Sequence, residues 1–100
     1  MEFGQQHRFS KEEARARIKK LTGHWSKEHG VSVAWTDEEA ELSGKILGCK
    51  FEAHLVVTDS DVKATGTDPG FLLRGTVTKY LKGKLAHYLD PSAPLDALEG

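Results

Sequence analysis

Apolar residues recur at steps of three and four in two stretches of this chain and at steps of two between them, a helix, strands, helix pattern. From Gly70 to Leu89, Leu73, Val77, Tyr80, Leu81, Leu85, Tyr88 and Leu89 fall on one stripe, which predicts a helix over 71–89 with that stripe buried. Asp68 and Pro69 suit its cap and first position. Gly75 and Gly83 lie inside it, each costing about 1 kcal/mol relative to Ala, so the first turn is open to separation from the rest. The other helical stretch begins at a capping box, Ser10 with Glu13, with Phe9 and Ala14 placed as a staple, and stops at Gly30. Its stripe is Ala14, Ile18, Leu21 and Trp25, giving a helix from Lys11 to about Glu28.

Between the helices the period is two. Val31, Val33 and Trp35 alternate with small polar positions, Asp37-Glu38-Glu39 reads as a turn, and Ala40 to Ser43 reads as the returning strand. Gly44 to Gly48, bracketed by glycines, reads as a connection or bulge. Cys49, Phe51, Ala53, Leu55 and Val57 then face one way and Lys50, Glu52, His54, Val56 and Thr58 the other. After the turn Asp59-Ser60-Asp61, the strand from Val62 to Thr67 turns Val62, Ala64 and Gly66 inward, small residues that leave room for a helix to pack closely. Met1 to Arg8 is either a frayed tail or an edge strand, and the strand is preferred. The order (β)αββββα predicts an α+β two-layer sandwich with both helices on one face of a four- to five-stranded antiparallel sheet. Residues 1–90 make one domain, 91–100 form a disordered C-terminal tail, and Leu55, Leu81, Trp25 and Trp35 belong to the core.

Composition narrows the classes. One hundred residues hold one core, and 14 basic against 15 acidic side chains, net −1, argue against a nucleic-acid binder. The single cysteine, Cys49, excludes an internal disulfide and a Cys-rich zinc site, which suits a cytoplasmic location. MEFGQQHRFS lacks the apolar run of an export signal, and no window reaches the length of a membrane span, so no integral membrane association is expected.

Candidate chemistry is sparse. His24 and His29 are five apart and fall on different helix faces without acidic or cysteine partners, so no metal is expected. His54 sits on the polar side of its strand, where a cross-strand partner is the ordinary role. Cys49 reads as a small inward residue, and no nucleophile elbow or phosphate loop is present. Neither catalysis nor a cofactor is expected. Phe71, Leu72, Arg74, Lys79 and Lys82 are the partner-binding candidates, because two large apolar residues beside a basic helix surface can form a contact patch. The mild polarity of the outward Ala34, Val56 and Thr58 allows a homodimer through the uncovered sheet face or an edge. A small-ligand or lipid-like binding protein, with an apolar pocket between helices and sheet, is the alternative class.

His7, Glu12-Glu13-Ala14-Arg15, Gly30, Trp35, Gly48 and Gly70-Phe71-Leu72-Leu73-Arg74 occur in an order that resembles the polyhydroxyalkanoic acid system proteins, over about residues 5–90. Those small bacterial proteins are named for genes near those of polyhydroxyalkanoate synthesis and granules. Asp68-Pro69 before the Gly-Phe-Leu-Leu-Arg run and Gly75 after it depart from the pattern. The resemblance implies a non-enzymatic accessory protein of polyhydroxyalkanoate metabolism, located at the granule surface and partnered by the granule or its proteins. It implies no catalytic residues.

Overall fold

Five strands and two long helices build two layers in the computed structural model, which describes residues 2–46, 48–67 and 71–98, the side chains of 46, 49 and 71–73 excepted. Strand β1 (Glu2–Gln6) leads to helix α1 (Lys11–His29), then to β2 (Ser32–Thr36), β3 (Glu39–Ile46), β4 (Cys49–Val57), β5 (Asp61–Gly66) and helix α2 (Phe71–Tyr88). The sheet is antiparallel in the order β1-β5-β4-β3-β2. The amino-terminal segment is thus the edge strand expected of it, and both helices cover one face. The expected cap at Asp68 and Pro69, the inward Cys49 and the side chains of Phe71, Leu72 and Leu73 lie outside the described residues.

Helix α1 starts and stops where its caps dictate. The Glu13 N–H donates to Ser10 Oγ at 3.2 Å, and Gly30 takes the left-handed φ of 65° with its N–H on the Ser26 carbonyl. Ala14, Ile18, Leu21 and Trp25 are buried against Val31, just before β2, and against Ala40, Leu42, Leu55, Val57, Val62 and Ala64 from the sheet. Trp35 is only half-buried, with its Nε1–H donating to Thr22 Oγ1 at 3.4 Å and the Lys19 ammonium over its ring.

Two expectations about where structure begins and ends change. The segment read as a connection, Gly44 to Ile46, continues β3 in register with Phe51, Lys50 and Cys49. Glycine serves close approach here: a Cβ on Gly44 would stand 3.3 Å from the Val31 Cα, and the Phe51 ring lies alongside. Residues 91–98, expected as a disordered tail, fold back into a 3-10 turn, Leu95–Ala97, that buries Leu98 to 5% exposure. Two apolar residues three apart suffice because α1 supplies donors to this backbone, Lys20 Nζ to the Leu95 carbonyl at 2.8 Å and Arg17 to that of Asp90 at 3.3 Å.

Helix α2 is one helix despite its glycines, but it is seated unevenly. Leu85 and Tyr88 are buried, as is Leu89 just beyond, whereas Val77, Tyr80 and Leu81 are only half-covered. Leu81 is therefore not the sealed core residue that its place on the stripe predicts.

Candidate functional site

Leu81 stays half-covered because the sheet beneath it is hollow. Ala53, Ala64 and Gly66 stand side by side on the inner face of β4 and β5, Leu55↔Ala64 and Ala53↔Gly66 being cross-strand pairs. These three small residues, one of them without a side chain, leave the floor low. Instead of letting α2 settle closely, they leave a cavity of about 60 Å³ under it. Phe3, Phe51 and Leu42 form further parts of its wall, α1 contributes Trp25, and α2 contributes Val77, Leu81 and Leu85. The wall is almost wholly apolar. Lys50, Glu52, Thr65 and Thr67 also border the cavity. There the Thr67 hydroxyl is tied to the Glu52 backbone, accepting from its N–H at 3.2 Å. Deeper in, the Trp25 Nε1–H donates to the Tyr80 hydroxyl at 3.2 Å, which locks α1 to α2 beside the cavity.

The outer surface of α2 is the second feature. Arg74, Lys79 and Lys82 are all exposed, and Lys79 and Lys82, three apart, share the side turned from the sheet. Lys84 instead leans over the Tyr80 ring, 5.8 Å from its centroid. Three of the five partner-binding candidates therefore present charge to solvent on one helix, while the side chains of Phe71 and Leu72 lie outside the described residues.

On the face away from the helices, His54 occupies the ordinary role expected of it. Its Nε2–H donates to Glu39 Oε1 at 2.6 Å, and Nδ1 lies 3.8 Å from Glu41 Oε1, both on neighbouring β3. Among the described residues no group of three or more His, Cys, Asp or Glu side chains is arranged to hold a metal ion. No described helix is long and apolar enough to cross a membrane.

Sequence reasoning missed a buried polar node. Arg17 is 3% exposed and lies over the Phe9 ring at 4.0 Å. Its Nε donates to Glu13 Oε2 at 3.1 Å and its Nη1 to the Tyr88 and Asp90 carbonyls at 3.1 and 3.3 Å. It thus ends α2 by satisfying carbonyls that a helix terminus leaves unpaired. His7 stacks against Phe9, accepting the Phe9 N–H at Nδ1 and donating from Nε2 to the Thr58 carbonyl at 2.9 Å. The signal was available: Arg17 sits between Ala14 and Leu21 on the apolar stripe, where a charged side chain implies a buried partner. Asp90, just past the helix, accepts from the Ser92 N–H and hydroxyl at 2.9 and 2.8 Å, and these bonds hold its carboxyl below the usual range.

The fold and this site define a small two-layer α+β protein whose long C-terminal helix stands over an apolar hollow. The chain belongs to the family described as "Putative polyhydroxyalkanoic acid system protein", whose model matches residues 1–92. Neither the curated proteins nor the solved structures include a match to it.

Proposed function

We propose that this protein is a non-enzymatic accessory factor of polyhydroxyalkanoate metabolism that associates with the polymer granule or its surface proteins through α2. The observation that carries this reading is the exposed basic edge of α2, Arg74, Lys79 and Lys82, on a helix whose neighbouring apolar stripe is incompletely covered. Lys79 and Lys82, turned outward, suit a surface of anionic character, while Val77 and Leu81 lie on the sheet side of the same helix. Family membership supports the metabolic setting. The test is sedimentation with granules from a polymer-accumulating host, comparing the native chain with Lys79→Glu/Lys82→Glu and with Phe71→Ser/Arg74→Ala. The native chain should pellet with granules and the charge-reversed variant should stay in the supernatant with an unchanged unfolding midpoint. A native chain that remains soluble in the presence of granules refutes the reading.

A second reading has its own observation. The apolar cavity between α2 and the sheet suits a protein that holds a small apolar ligand, since such walls exclude hydrogen-bonding guests. Saturable binding of an alkyl compound, followed by methyl shifts of the cavity wall, tests it.

A further inference from the structure

We infer that the free edge of β2 docks an extended acidic segment of a partner protein, which joins the sheet as a further strand and turns alternate carboxylates toward Arg15 and Lys19 of α1. This surface is separate from the exposed side of α2 and adds a protein partner of stated chemistry.

Three observations meet at this edge. The first is the strand. β2 ends the sheet and pairs only with β3, so its outer row of N–H and C=O groups has no strand partner. Edge strands are ordinarily guarded by charge, proline or a bulge. Ser32-Val33-Ala34-Trp35-Thr36 has neither charge nor proline, and its register with β3 runs unbroken from Ser32↔Ser43 to Thr36↔Glu39. The other edge, β1, carries Glu2.

The second is the flank of the helix beside it. Lys11 Nζ reaches Glu38, in the turn after β2, at 3.0 Å, and Lys19 Nζ lies 5.6 Å from the centroid of the Trp35 ring. Lys11, Arg15 and Lys19, at steps of four, therefore run along the β2 side of α1. Thr22, which accepts the Trp35 Nε1–H, continues that side without an acid. Lys11 is held by Glu38, but among the described residues neither Arg15 nor Lys19 enters an ion pair.

The third is Arg15 itself. Its Nε is buried with no hydrogen-bond partner, while the residue as a whole is half-exposed. A buried donor left unpaired calls for an acceptor, and a carboxylate meets a guanidinium with two oxygens at once.

Strand addition satisfies all three. Main-chain bonds to β2 hold the segment, and its side chains alternate between the two faces of the sheet. Every second one lies on the side of Trp35, Arg15 and Lys19, where acid is favoured. The others lie beside Ser32, Ala34 and Thr36, whose small side chains restrict them little. The β2 strand of a second copy fits less well, because two-fold pairing at this edge brings two basic rows together.

The probe is a capped peptide of about seven residues alternating threonine and glutamate, long enough to span β2, titrated into the isotope-labelled full chain. Binding should be saturable. At saturation, amide hydrogen exchange should slow about tenfold or more at alternate residues within 32–36, those whose N–H groups point off the edge. Arg15→Gln/Lys19→Gln should weaken the peptide about fivefold to tenfold with an unchanged unfolding midpoint. The same peptide with lysine in place of glutamate should not bind. Should the double variant fail to fold, the lysine peptide and the exchange pattern decide alone. Absence of binding, or binding without slowed exchange at 32–36, overturns the inference, as does equal binding of the lysine peptide. If Lys79→Glu/Lys82→Glu abolishes binding and Arg15→Gln/Lys19→Gln does not, the acidic segment sits on α2 and the inference falls. A free chain that sediments as a dimer with these amides already protected gives the edge to a second copy and also overturns it.

Discussion

Arg17 joins α1, the loop residue Phe9 and the end of α2, and its replacement should be felt in all three. Arg17→Met keeps the apolar stem but strands the Tyr88 and Asp90 carbonyls, so the expected loss is about 2–4 kcal/mol in urea denaturation. Arg17→Lys should recover little of it, because one ammonium cannot reach Glu13 and two carbonyls while also lying flat on Phe9. An unchanged midpoint for Arg17→Met would mean the node is ornamental. At Asp90 the prediction is one of pH. The two bonds from Ser92 depress the folded-state carboxyl below its ordinary 3.8. Its contribution is present above that value and is lost as pH falls through the lower folded value. Asp90→Ala should therefore narrow the gap between unfolding midpoints measured at about pH 6 and about pH 3. A gap as wide as in the native chain would contradict it.

At the scale of elements, the two ends of α2 should respond differently. Leu85 is 1% exposed and its replacement by Ala should cost about 2–5 kcal/mol, whereas Leu81→Ala, at a half-covered site over an existing cavity, should cost about half as much. Equal losses would mean the helix is seated evenly. Gly75 and Gly83 have ordinary helical φ and open space where a Cβ would go. Each change to Ala should raise stability by about 0.5–1 kcal/mol, checked by thermal unfolding. A fall in the melting temperature would mean that the glycines are needed for bending. Much of this was legible in the sequence. Ser10, Glu13 and Gly30 state the bounds of α1, and the alternation around Leu55 states which face of β4 is inward. Periodicity could not say how deeply a stripe is buried, since Leu81 and Leu85 share one stripe and differ through the small Ala53, Ala64 and Gly66 opposite. Nor could it say that Gly44 stays within a strand, because the reason is Val31 lying across from it, a contact of tertiary structure. Leu98 reaches the core through backbone bonds from Lys20 and Arg17, and such bonds leave no mark in a hydropathy pattern.

Across the whole molecule, charge is divided between two sides even though the chain is nearly neutral. The uncovered sheet face carries Glu2, Glu39, Glu41, Glu52 and Asp61 against Lys45, Lys50 and Lys63, with His54 tied to two of the glutamates. The opposite side carries Arg74, Lys79 and Lys82 on α2. Two copies stacked through the sheet face would oppose like charges, so a homodimer, if formed, should use the edges β1 or β2 instead. The same division orients the molecule toward an anionic surface. At ionic strength of about 0.01 M the screening length, about 30 Å, is comparable to the molecule itself, and the acidic face and basic helix act against each other. At about 0.15 M it is about 8 Å, and only the nearer side is felt. Binding to anionic vesicles or granules through α2 should therefore weaken above physiological salt but should not keep strengthening as salt is lowered far below it. Lys79→Glu/Lys82→Glu should remove the salt-dependent part, while Lys63→Glu, on the far face, should leave binding at physiological salt unchanged. Equal effects of the two variants would mean that association is driven by net charge and that α2 is not the docking surface.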